Sequence, residues 1–542
     1  MIVFRTNASS SIGMGHLARC RRLAVRLKKD GYIIKFVLDY VNDYLSNYLQ
    51  GFPCYGIYPE NELFSSEKED ATRFLLQYYD TNKVSAVIVD DYRLSIVWER
   101  AITKLKCPVV VIDDQNKNKH QCNLLIDSTW EGKRTPYRYQ GIVADDTSRL
   151  LGPKYLLIDE EFGEQATEQK VLTQKKKKIQ LLFSLGGGGD LLLWGSILSK
   201  LIENQPDEVQ CQLVVVVGPY ATNKEQLLEV ANKHNEIEIL DNQDGLFEQL
   251  RKTDIYIGAS GGTLFEALAL RIPSLTFSIS ENQQNENENF EDIGHYFHLN
   301  SLGEDDFDDF SKLLWELVLQ HNRVYKLYQK PTSVQIDGKG VVRACDAIKS
   351  TILGNVVTPI DLTSEKQSDD IRKGYSLTLI DDSAVNRYLF ARNLEVNLSK
   401  MIEKNRITPL KHYLWWFQKN KRTSYVLKKN GKELLFIWHQ LQKVEQRRVI
   451  VSGWFVCTEH CSALDAMHAV TQHSLIIDNL FPGSTWIIVI NKDNYFMQKF
   501  NQRLGFEKIE KGGFIENMVK ICFPMATPNN FLYYFRKIKK PI

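Results

Sequence analysis

Short apolar runs alternate with amphipathic segments along the first third of the chain. The runs are rich in β-branched residues, and they are Ile2–Phe4, Ile33–Leu38, Ala86–Val89, Val109–Ile112 and Leu124–Ile126. Continuous apolar runs of this length, separated by helix-like segments, are typical of a parallel sheet that is covered on both faces. We therefore predict an α/β lobe over residues 1–157.

The same alternation begins again after a run of four lysines, Lys175–Lys178. The apolar runs of this part are Ile179–Phe183, Leu213–Val217, Ile255–Ile257 and Ser274–Phe277. Residues 158–353 are thus predicted to form a second α/β lobe, which a helix over about 330–353 closes. We interpret the lysine run as a solvated linker, because no aromatic residues are interleaved with it as in a nucleic-acid surface.

The last part of the chain has a different pattern. Residues 354–374 are polar and weakly periodic, which predicts a linker before a third domain over 375–542. Its predicted strands are Ser376–Leu379, Tyr425–Leu427, Glu433–Trp438, Arg448–Val456 and Trp486–Ile490, with a helix around Ala463–Asn479. Several strands in succession, followed by a helix and a further strand, predict a mixed α+β domain.

Composition narrows the classes of function. The 542 residues are 43% hydrophobic and 25% charged with a net charge of +2, as in a soluble globular protein, and the scattered basic residues give no indication of nucleic acid. No apolar run reaches the roughly 18–20 residues of a membrane span, and no signal peptide is expected. The nine scattered cysteines predict reduced thiols in a cytoplasm and no metal site. The oligomeric state is not indicated.

The loop after the first strand carries the strongest chemical signal. It reads Arg5-Thr6-Asn7-Ala8-Ser9-Ser10-Ser11-Ile12-Gly13-Met14-Gly15-His16-Leu17-Ala18-Arg19 and leads into an amphipathic helix. Gly13 and Gly15 allow backbone N–H groups to approach a phosphorylated ligand, and the helix N-terminus attracts anions. His16 at this end is a candidate general base. The alternative is a tight turn in a nucleotide-binding sheet, with His16 only capping or packing.

Polar residues follow several predicted strands of the first lobe. The strand ends read Asp90-Asp91-Tyr92, Asp113-Asp114 and Asp127-Ser128. In open α/β sheets ligands bind beyond the carboxyl ends of the strands. These side chains, Asp91 and Tyr92 first among them, are therefore candidate contacts for sugar hydroxyls and amides. The alternative is that the acids are N-caps of the following helices.

The second lobe contains two glycine-rich turns between a strand and a helix. One runs from Ser184 to Asp190 and includes Gly186, Gly187 and Gly188; the other includes Ser260, Gly261, Gly262 and Thr263. Two such turns suit a pyrophosphate lying over two helix N-termini. Glu266, in the first helical turn, is placed to accept hydrogen bonds from ribose hydroxyls. Asn282 and Gln283 follow the next strand.

Taken in their order along the chain, the His16 loop, the polar strand ends and the two glycine-rich turns resemble the motifs of the UDP-2,4-diacetamido-2,4,6-trideoxy-β-L-altropyranose hydrolases of the pseudaminic acid pathway. The segment Arg5–Arg19 matches the family's opening motif, with Asn7 where the family usually has aspartate. The later Gly-Ala-Ser-Gly-Gly-Thr is a permuted form of a family motif, and its spacing to Glu266 is kept. The resemblance covers roughly residues 1–350 and implies two Rossmann-like lobes of glycosyltransferase-B type.

The resemblance also implies an activity: hydrolysis of a UDP-linked 2,4-diacetamido-2,4,6-trideoxy sugar at C1, without metal or cofactor, in nonulosonic acid biosynthesis. By the same resemblance His16 is the base that activates water. The residues implied in binding the UDP-sugar are Arg5, Asn7, Gly13, Gly15, Arg19, Asp91, Tyr92, Gly186, Gly187, Gly188, Ser260, Gly261, Gly262, Thr263, Glu266, Asn282 and Gln283. A glycosyltransferase of the same fold and a nucleotide-sugar-binding scaffold with inactive sites remain alternatives.

The third domain resembles the GNAT-like N-acetyltransferases, most visibly in Leu504-Gly505-Phe506. This resemblance implies acetyl-CoA as the cofactor and acetylation of the sugar's 4-amino group. The chain departs from the family at two places. The segment Cys457–Leu464 lacks the glycines of the family's pyrophosphate loop. Asn501 stands where many members have a tyrosine that acts as the acid on the leaving thiolate. A degenerate domain that serves in packing or assembly therefore remains an alternative.

Overall fold

The computed structural model describes residues 1–10, 12–60, 62–78, 83–164, 178–241, 245–279, 283, 290–355, 357, 374–510 and 513–539. The chain divides into two compact units, Met1–Glu365 and Lys366–Ile542. Most of the predicted linker 354–374, and residues 175–177 of the lysine run, lie outside the described residues. None of the helices in these ranges combines the length and apolar composition that a membrane crossing requires.

The first sheet of unit 1 has seven parallel strands. They are β1 (Ile2–Thr6), β2 (Ile34–Leu38), β3 (Cys54–Gly56), β4 (Ala86–Asp90), β5 (Val109–Ile112), β6 (Leu124–Asp127) and β7 (Ser148–Leu151), in the order β3-β2-β1-β4-β5-β6-β7. The order reverses between β1 and β4, which is where doubly wound sheets leave a crevice for ligands.

Helices cover both faces of this sheet. They are α1 (Gly15–Lys29), α2 (Asp43–Tyr48), α3 (Glu67–Tyr78) and α4 (Ile96–Ile102). Leu17 of α1 packs with Phe4 on one face, whereas Phe74 of α3 and Trp98 of α4 pack with Val3 on the other. Adjacent strand residues point to opposite faces, so β1 is buried on both sides, as its unbroken apolar pattern predicts.

The second sheet of unit 1 repeats this topology. Its strands are β8 (Ile179–Ser184), β10 (Cys211–Val217), β12 (Ile237–Asp241), β13 (Ile255–Ala259), β14 (Ser274–Phe277) and β15 (Phe297–Leu299), and β9 (Gly188–Asp190) pairs separately with β11 (Tyr220–Thr222). The six strands are parallel in the order β12-β10-β8-β13-β14-β15. The prediction of an α/β architecture with parallel sheets is confirmed.

The helices after the first sheet are α5 (Glu161–Glu164), α6 (Leu192–Glu203), α7 (Glu225–Lys233), α8 (Phe247–Lys252), α9 (Gly262–Ala269), α10 (Phe307–Leu319), α11 (His321–Tyr328) and α12 (Gly340–Ile352). One of them corrects the sequence analysis. The helix predicted to close the second lobe, α12, instead buries Val341, Ala344 and Ile348 in the core of the first lobe, beside Leu17 of α1. Its apolar stripe predicts burial but does not specify which lobe it covers.

Unit 2 is a mixed sheet with helices. Its strands are β16 (Tyr375–Leu379), β17 (Thr423–Lys429), β18 (Lys432–Val444), β19 (Arg447–Val456), β20 (Thr485–Asn491), β21 (Glu507–Lys508) and β22 (Phe531–Lys537), in the order β16-β17-β18-β19-β20-β22-β21. Its helices are α13 (Val385–Arg392), α14 (Glu395–Leu398), α15 (Pro409–Leu414), a π-helical turn Trp415–Lys419, α16 (Ala463–Leu480), α17 (Tyr495–Arg503) and α18 (Phe514–Cys522).

A gap opens in the middle of the unit 2 sheet. Within the described part of unit 2, β19 and β20 are the one parallel pair of neighbouring strands, and they pair over just Val449–Val451 and Thr485–Ile487 before they part. The other neighbouring strands of the sheet are antiparallel. The GNAT-like assignment of this unit stays a prediction.

Candidate active site

His16 and Asp90 meet at the crevice of the first sheet. Asp90 is the last residue of β4 and lies in register with Thr6 of β1, so it leaves the sheet beside the loop that carries His16. His16 Nδ1 is 2.6 Å from Asp90 Oδ1. A carboxylate oxygen accepts, so Nδ1 is the donor, and the other ring nitrogen of a neutral imidazole keeps its lone pair. Among the described residues, none hydrogen-bonds to that Nε2.

Arg19 keeps Asp90 ionised. Its Nε and Nη2 donate to the two oxygens of Asp90, each at 2.6 Å, which is a bidentate pair. Burial raises the pKa of Asp90, but the charge of Arg19 and the hydrogen bonds from Arg19 and His16 outweigh burial and hold that pKa well below its usual range. Asp90 is therefore a fixed negative charge that orients the His16 ring.

Tyr92 and Asp114 complete this cluster. The Tyr92 ring packs edge-on against His16 with their centroids 4.4 Å apart, and its hydroxyl donates to Asp114 Oδ1. Arg19 Nη1 donates to the other Asp114 oxygen at 2.9 Å. Burial raises the pKa of the Tyr92 phenol, which stays a neutral donor. The structure thus brings His16, Arg19 and Tyr92 together at one place.

Three other predicted residues lie in a separate buried network. Arg5 is completely buried, and its Nε and Nη2 donate to the two oxygens of Asp70 at 3.1 and 2.5 Å. Asn7 donates to Asp39 at 2.8 Å, and Asp91 pairs with Arg93. Arg5 points to the face of the sheet that α3 covers, and its guanidinium donates to internal partners there. Its role in binding the UDP-sugar stays a prediction.

The first glycine turn of the second lobe faces the His16 loop. A Cβ on Gly187 would lie 2.7 Å from the Met14 Cβ, so only glycine allows the two loops to approach this closely. Gly186 has a φ of +82° and borders open space, whereas a Cβ added at Gly188 would meet Tyr220 of β11 at ordinary van der Waals distances. The two lobes therefore meet within two residues of His16.

The second glycine turn begins α9. Gly261 is its N-cap and Gly262 its first residue, and open space lies where Gly262 would carry a Cβ, as it does at Gly13 and Gly15. The Ser260 hydroxyl donates to the backbone oxygen of Gln283 at 3.0 Å. Thr263 follows in the first turn of α9, and Asn282 lies outside the described residues. A helix N-terminus attracts anions, so the start of α9 is a candidate place for a phosphate group.

Glu266 makes an ion pair across the two lobes. Its Oε1 accepts from Arg22 Nη2 at 2.6 Å, and Arg22 Nε donates to Asp159 at 3.0 Å. Burial raises the pKa of Glu266, and the charge of Arg22 opposes that rise. Arg22 lies on α1, six residues after His16, so the same helix positions the candidate base and holds Glu266. The ribose contact of Glu266 stays a prediction.

Asp90, Asp114 and Arg22 contribute more to this site than the sequence patterns indicate. Asp91, the candidate that the sequence favours there, follows β4 directly but turns toward Arg93. A strand-register argument would have found Asp90, because it ends a strand beside the one that leads to His16. No local signal marks Arg22, whose partner Glu266 is 244 residues away.

Unit 2 holds a cavity of about 1140 Å³, into which the gap between β19 and β20 opens. At its edge, α16 begins with a capping box: Ser462 and Asp465 exchange hydrogen bonds, and Asp465 Oδ2 accepts from the Ser462 backbone N–H at 2.8 Å. A carboxylate therefore already occupies this helix N-terminus. Asn501, at 5% exposure, donates to the backbone oxygen of Met497.

Three curated proteins are similar to this chain in sequence. An uncharacterized protein of Methanocaldococcus jannaschii is 26% identical over 313 residues, 57% of this chain; the chain spans only 62% of that relative's length. The spore coat polysaccharide biosynthesis protein SpsG of Bacillus subtilis is 25% identical over 61% of this chain and 92% of its own. The UDP-2,4-diacetamido-2,4,6-trideoxy-β-L-altropyranose hydrolase of Campylobacter jejuni is 24% identical over 52% of this chain and 93% of its own.

No protein-family profile matches the chain. Among solved structures, MurG of Acinetobacter baumannii covers 64% of this chain and 99% of its own with 14% identity and a TM-score of 0.43. An N-acetyltransferase of Staphylococcus aureus covers 31% of this chain and 100% of its own with 13% identity and a TM-score of 0.24. Likenesses at these TM-scores do not define a fold; the strand orders given above do.

Proposed function

We propose that unit 1 hydrolyses a UDP-linked 2,4-diacetamido-2,4,6-trideoxy sugar at C1 and releases UDP. The observation that carries the proposal is the His16–Asp90 hydrogen bond, because it leaves His16 Nε2 as a base at the crevice of a doubly wound sheet. The named activity of the Campylobacter jejuni relative supports the choice of substrate.

The reaction needs one proton acceptor and a site for a departing diphosphate. Water forms a bond to C1 while the bond from C1 to the phosphate oxygen breaks, and the electron pair of that bond leaves with UDP. His16 Nε2 takes the proton from the attacking water, and Asp90 stabilises the imidazolium that forms. The N-terminus of α9 is suited to the charge that develops on UDP.

The test is incubation of the full chain with the UDP-sugar in water enriched in oxygen-18, without any acceptor, followed by mass spectrometry. The proposal expects free sugar together with UDP that carries no heavy oxygen, because attack is at C1. UDP release that requires an added sugar or lipid acceptor would favour the glycosyltransferase alternative. Binding without any release would favour the scaffold alternative.

A second candidate function belongs to unit 2, which we propose N-acetylates the 4-amino group of the same sugar. The gap between β19 and β20 favours it, because it opens onto a cavity large enough for a cofactor and an acceptor. The start of α16 does not fit a pyrophosphate, since Asp465 already accepts the N–H of Ser462 there. Thiol release from acetyl-CoA that depends on the amino sugar tests this activity.

A further inference from the structure

The unit 2 cavity is lined by more positively than negatively charged side chains. Five lysine and arginine side chains line it, against two glutamates, Glu403 and Glu459. Four of the five, among them Arg392 at the end of α13 and Arg422 before β17, have no carboxylate within ion-pair distance among the residues that the structure describes; Arg406 pairs with Glu395.

Arg392 carries an unused buried donor. Its Nη2 donates to the backbone oxygen of Glu403 at 2.7 Å, but its Nη1 is buried without any hydrogen-bond partner in the described part of the chain. Burial lowers the pKa of Arg392; Glu403 opposes this, and the charge of Arg422 adds to it. A buried guanidinium donor is costly to leave unpaired, so this one points to a ligand that supplies the acceptor.

Arg422 is held between aromatic rings instead of acids. Its Cζ lies 3.7 Å from the centroid of Trp438 and 5.1 Å from that of Trp415. Its one polar side-chain contact among the described residues is a long one, 3.5 Å from Nη1 to the Tyr388 hydroxyl. Stacking fixes the plane of the guanidinium and leaves its edge donors available.

From these contacts we infer that Arg392 and Arg422 form an anion subsite that binds the diphosphate of a nucleotide in the unit 2 cavity. Planar guanidinium forks match phosphate oxygens. A cavity of about 1140 Å³ lined by tryptophan rings is too large for inorganic phosphate alone and suits a nucleoside diphosphate. The choice of a nucleotide sugar rests on the proposed function; the anion subsite does not.

The test is calorimetric titration of the full chain with UDP, followed by Arg392→Met, Arg422→Met and the double variant. The full chain should bind UDP at two classes of site, one in unit 1 and one in the unit 2 cavity. We expect each single change to weaken binding at the unit 2 site by about tenfold or more, and the double variant to lose that site. Arg406→Met is the matched control, since Arg406 also lines the cavity but is 67% exposed and pairs with Glu395. Arg422→Lys keeps the charge without the planar fork and should show an intermediate loss.

The outcomes separate this inference from the proposed function. UDP binding that is the same in the double variant, with thermal midpoints matching the parent, overturns the subsite whether or not unit 1 hydrolyses its substrate. Displacement of this UDP by free coenzyme A would also overturn it, because the arginines would then serve the cofactor's phosphates. A chain that loses one class of UDP site in the double variant but hydrolyses nothing would support the subsite and contradict the proposed function.

Discussion

Asp90 Oδ1 lies 2.6 Å from His16 Nδ1, although 74 residues separate the two in the chain. The parallel pairing of β1 with β4 brings them together. Asp90 is the last residue of β4 and His16 follows β1 in the chain, so both lie at the carboxyl edge of these two strands. The contact fixes which imidazole nitrogen carries the proton, and the fully buried Asp90 is itself fixed by Arg19. Substitutions of His16 and of Asp90 therefore both test the role of this contact.

Replacing His16 by alanine or asparagine should remove hydrolysis and preserve UDP binding. Loss of a general base typically costs about 10²–10⁴-fold in rate, whereas His16 contributes little to holding UDP. Single-turnover assays and calorimetry with UDP measure the two effects separately. Turnover within threefold of the parent protein would contradict the role of His16.

Replacing Asp90 by asparagine should lower kcat by about 10²-fold or more with KM nearly unchanged. The substitution keeps the volume but removes the charge that orients His16 and stabilises its protonated form. Asp91→Asn is the matched control, since Asp91 is the next residue and pairs with Arg93. Equal losses of kcat in both variants would mean that general disruption of this strand end, and not the His16 contact, is responsible.

Replacing Glu266 by alanine should raise KM with kcat roughly kept, because a ribose contact is the same in the ground and transition states. Arg22→Ala should also raise KM, since Arg22 Nη2 donates to Glu266 Oε1 at 2.6 Å and holds the carboxylate in place. Arg26→Ala, one turn further along α1 and paired with Glu160, serves as the control. A collapse of kcat with an unchanged KM would place Glu266 at the reacting centre.

Replacing Arg5 by methionine should lower the free energy of unfolding by about 3–5 kcal/mol, because it leaves the buried Asp70 carboxylate without its charged partner. Trp98 and Tyr58 also donate to Asp70, so the network spans β1, α3 and α4. Urea denaturation measures the change. The control is Arg73→Met, whose surface pairs with Glu62 and Glu69 should contribute at most about 1 kcal/mol. Similar losses in both variants would contradict the buried-pair argument.

Replacing Asp465 by alanine should tighten binding of acetyl-CoA by between about 3- and 10-fold, since it removes a carboxylate from the N-terminus of α16. The parent chain should bind weakly, because Cys457–Leu464 contains no glycine. Calorimetry on the full chain measures both affinities. Ser462→Ala, which removes the capping hydroxyl but keeps the carboxylate, is the control. Micromolar binding by the parent protein would show that the loop does accept a pyrophosphate.

The sequence predicts the sheets of unit 1 well because their strands are continuous apolar runs, which few other structures produce. It also predicts the start of α1 at the His16 loop, since glycines and helical spacing meet there. The side-chain partners are harder to predict. Arg5 belongs to a motif that suggests a ligand, yet its strand register turns it toward Asp70, and only the packed structure shows this.

The pairing of Arg22 with Glu266, and the position of α12, depend on contacts between segments hundreds of residues apart. Local propensity contains no information about such contacts, because periodicity shows that a face is buried but not what covers it. The same holds for Arg392, whose unpaired nitrogen becomes visible only once the cavity around it is known.

The packing of α12 against α1 sets the order in which the chain can finish folding. Val341, Ala344 and Ile348 complete the core of the first lobe, yet the ribosome makes them after the whole second sheet. Domains generally fold as units, from the N-terminus onward, while the chain is being synthesised. Here the N-terminal lobe is begun first and completed last. A chain interrupted before residue 340 therefore leaves the apolar face of α1 exposed to aggregation, even when every residue near His16 is already present.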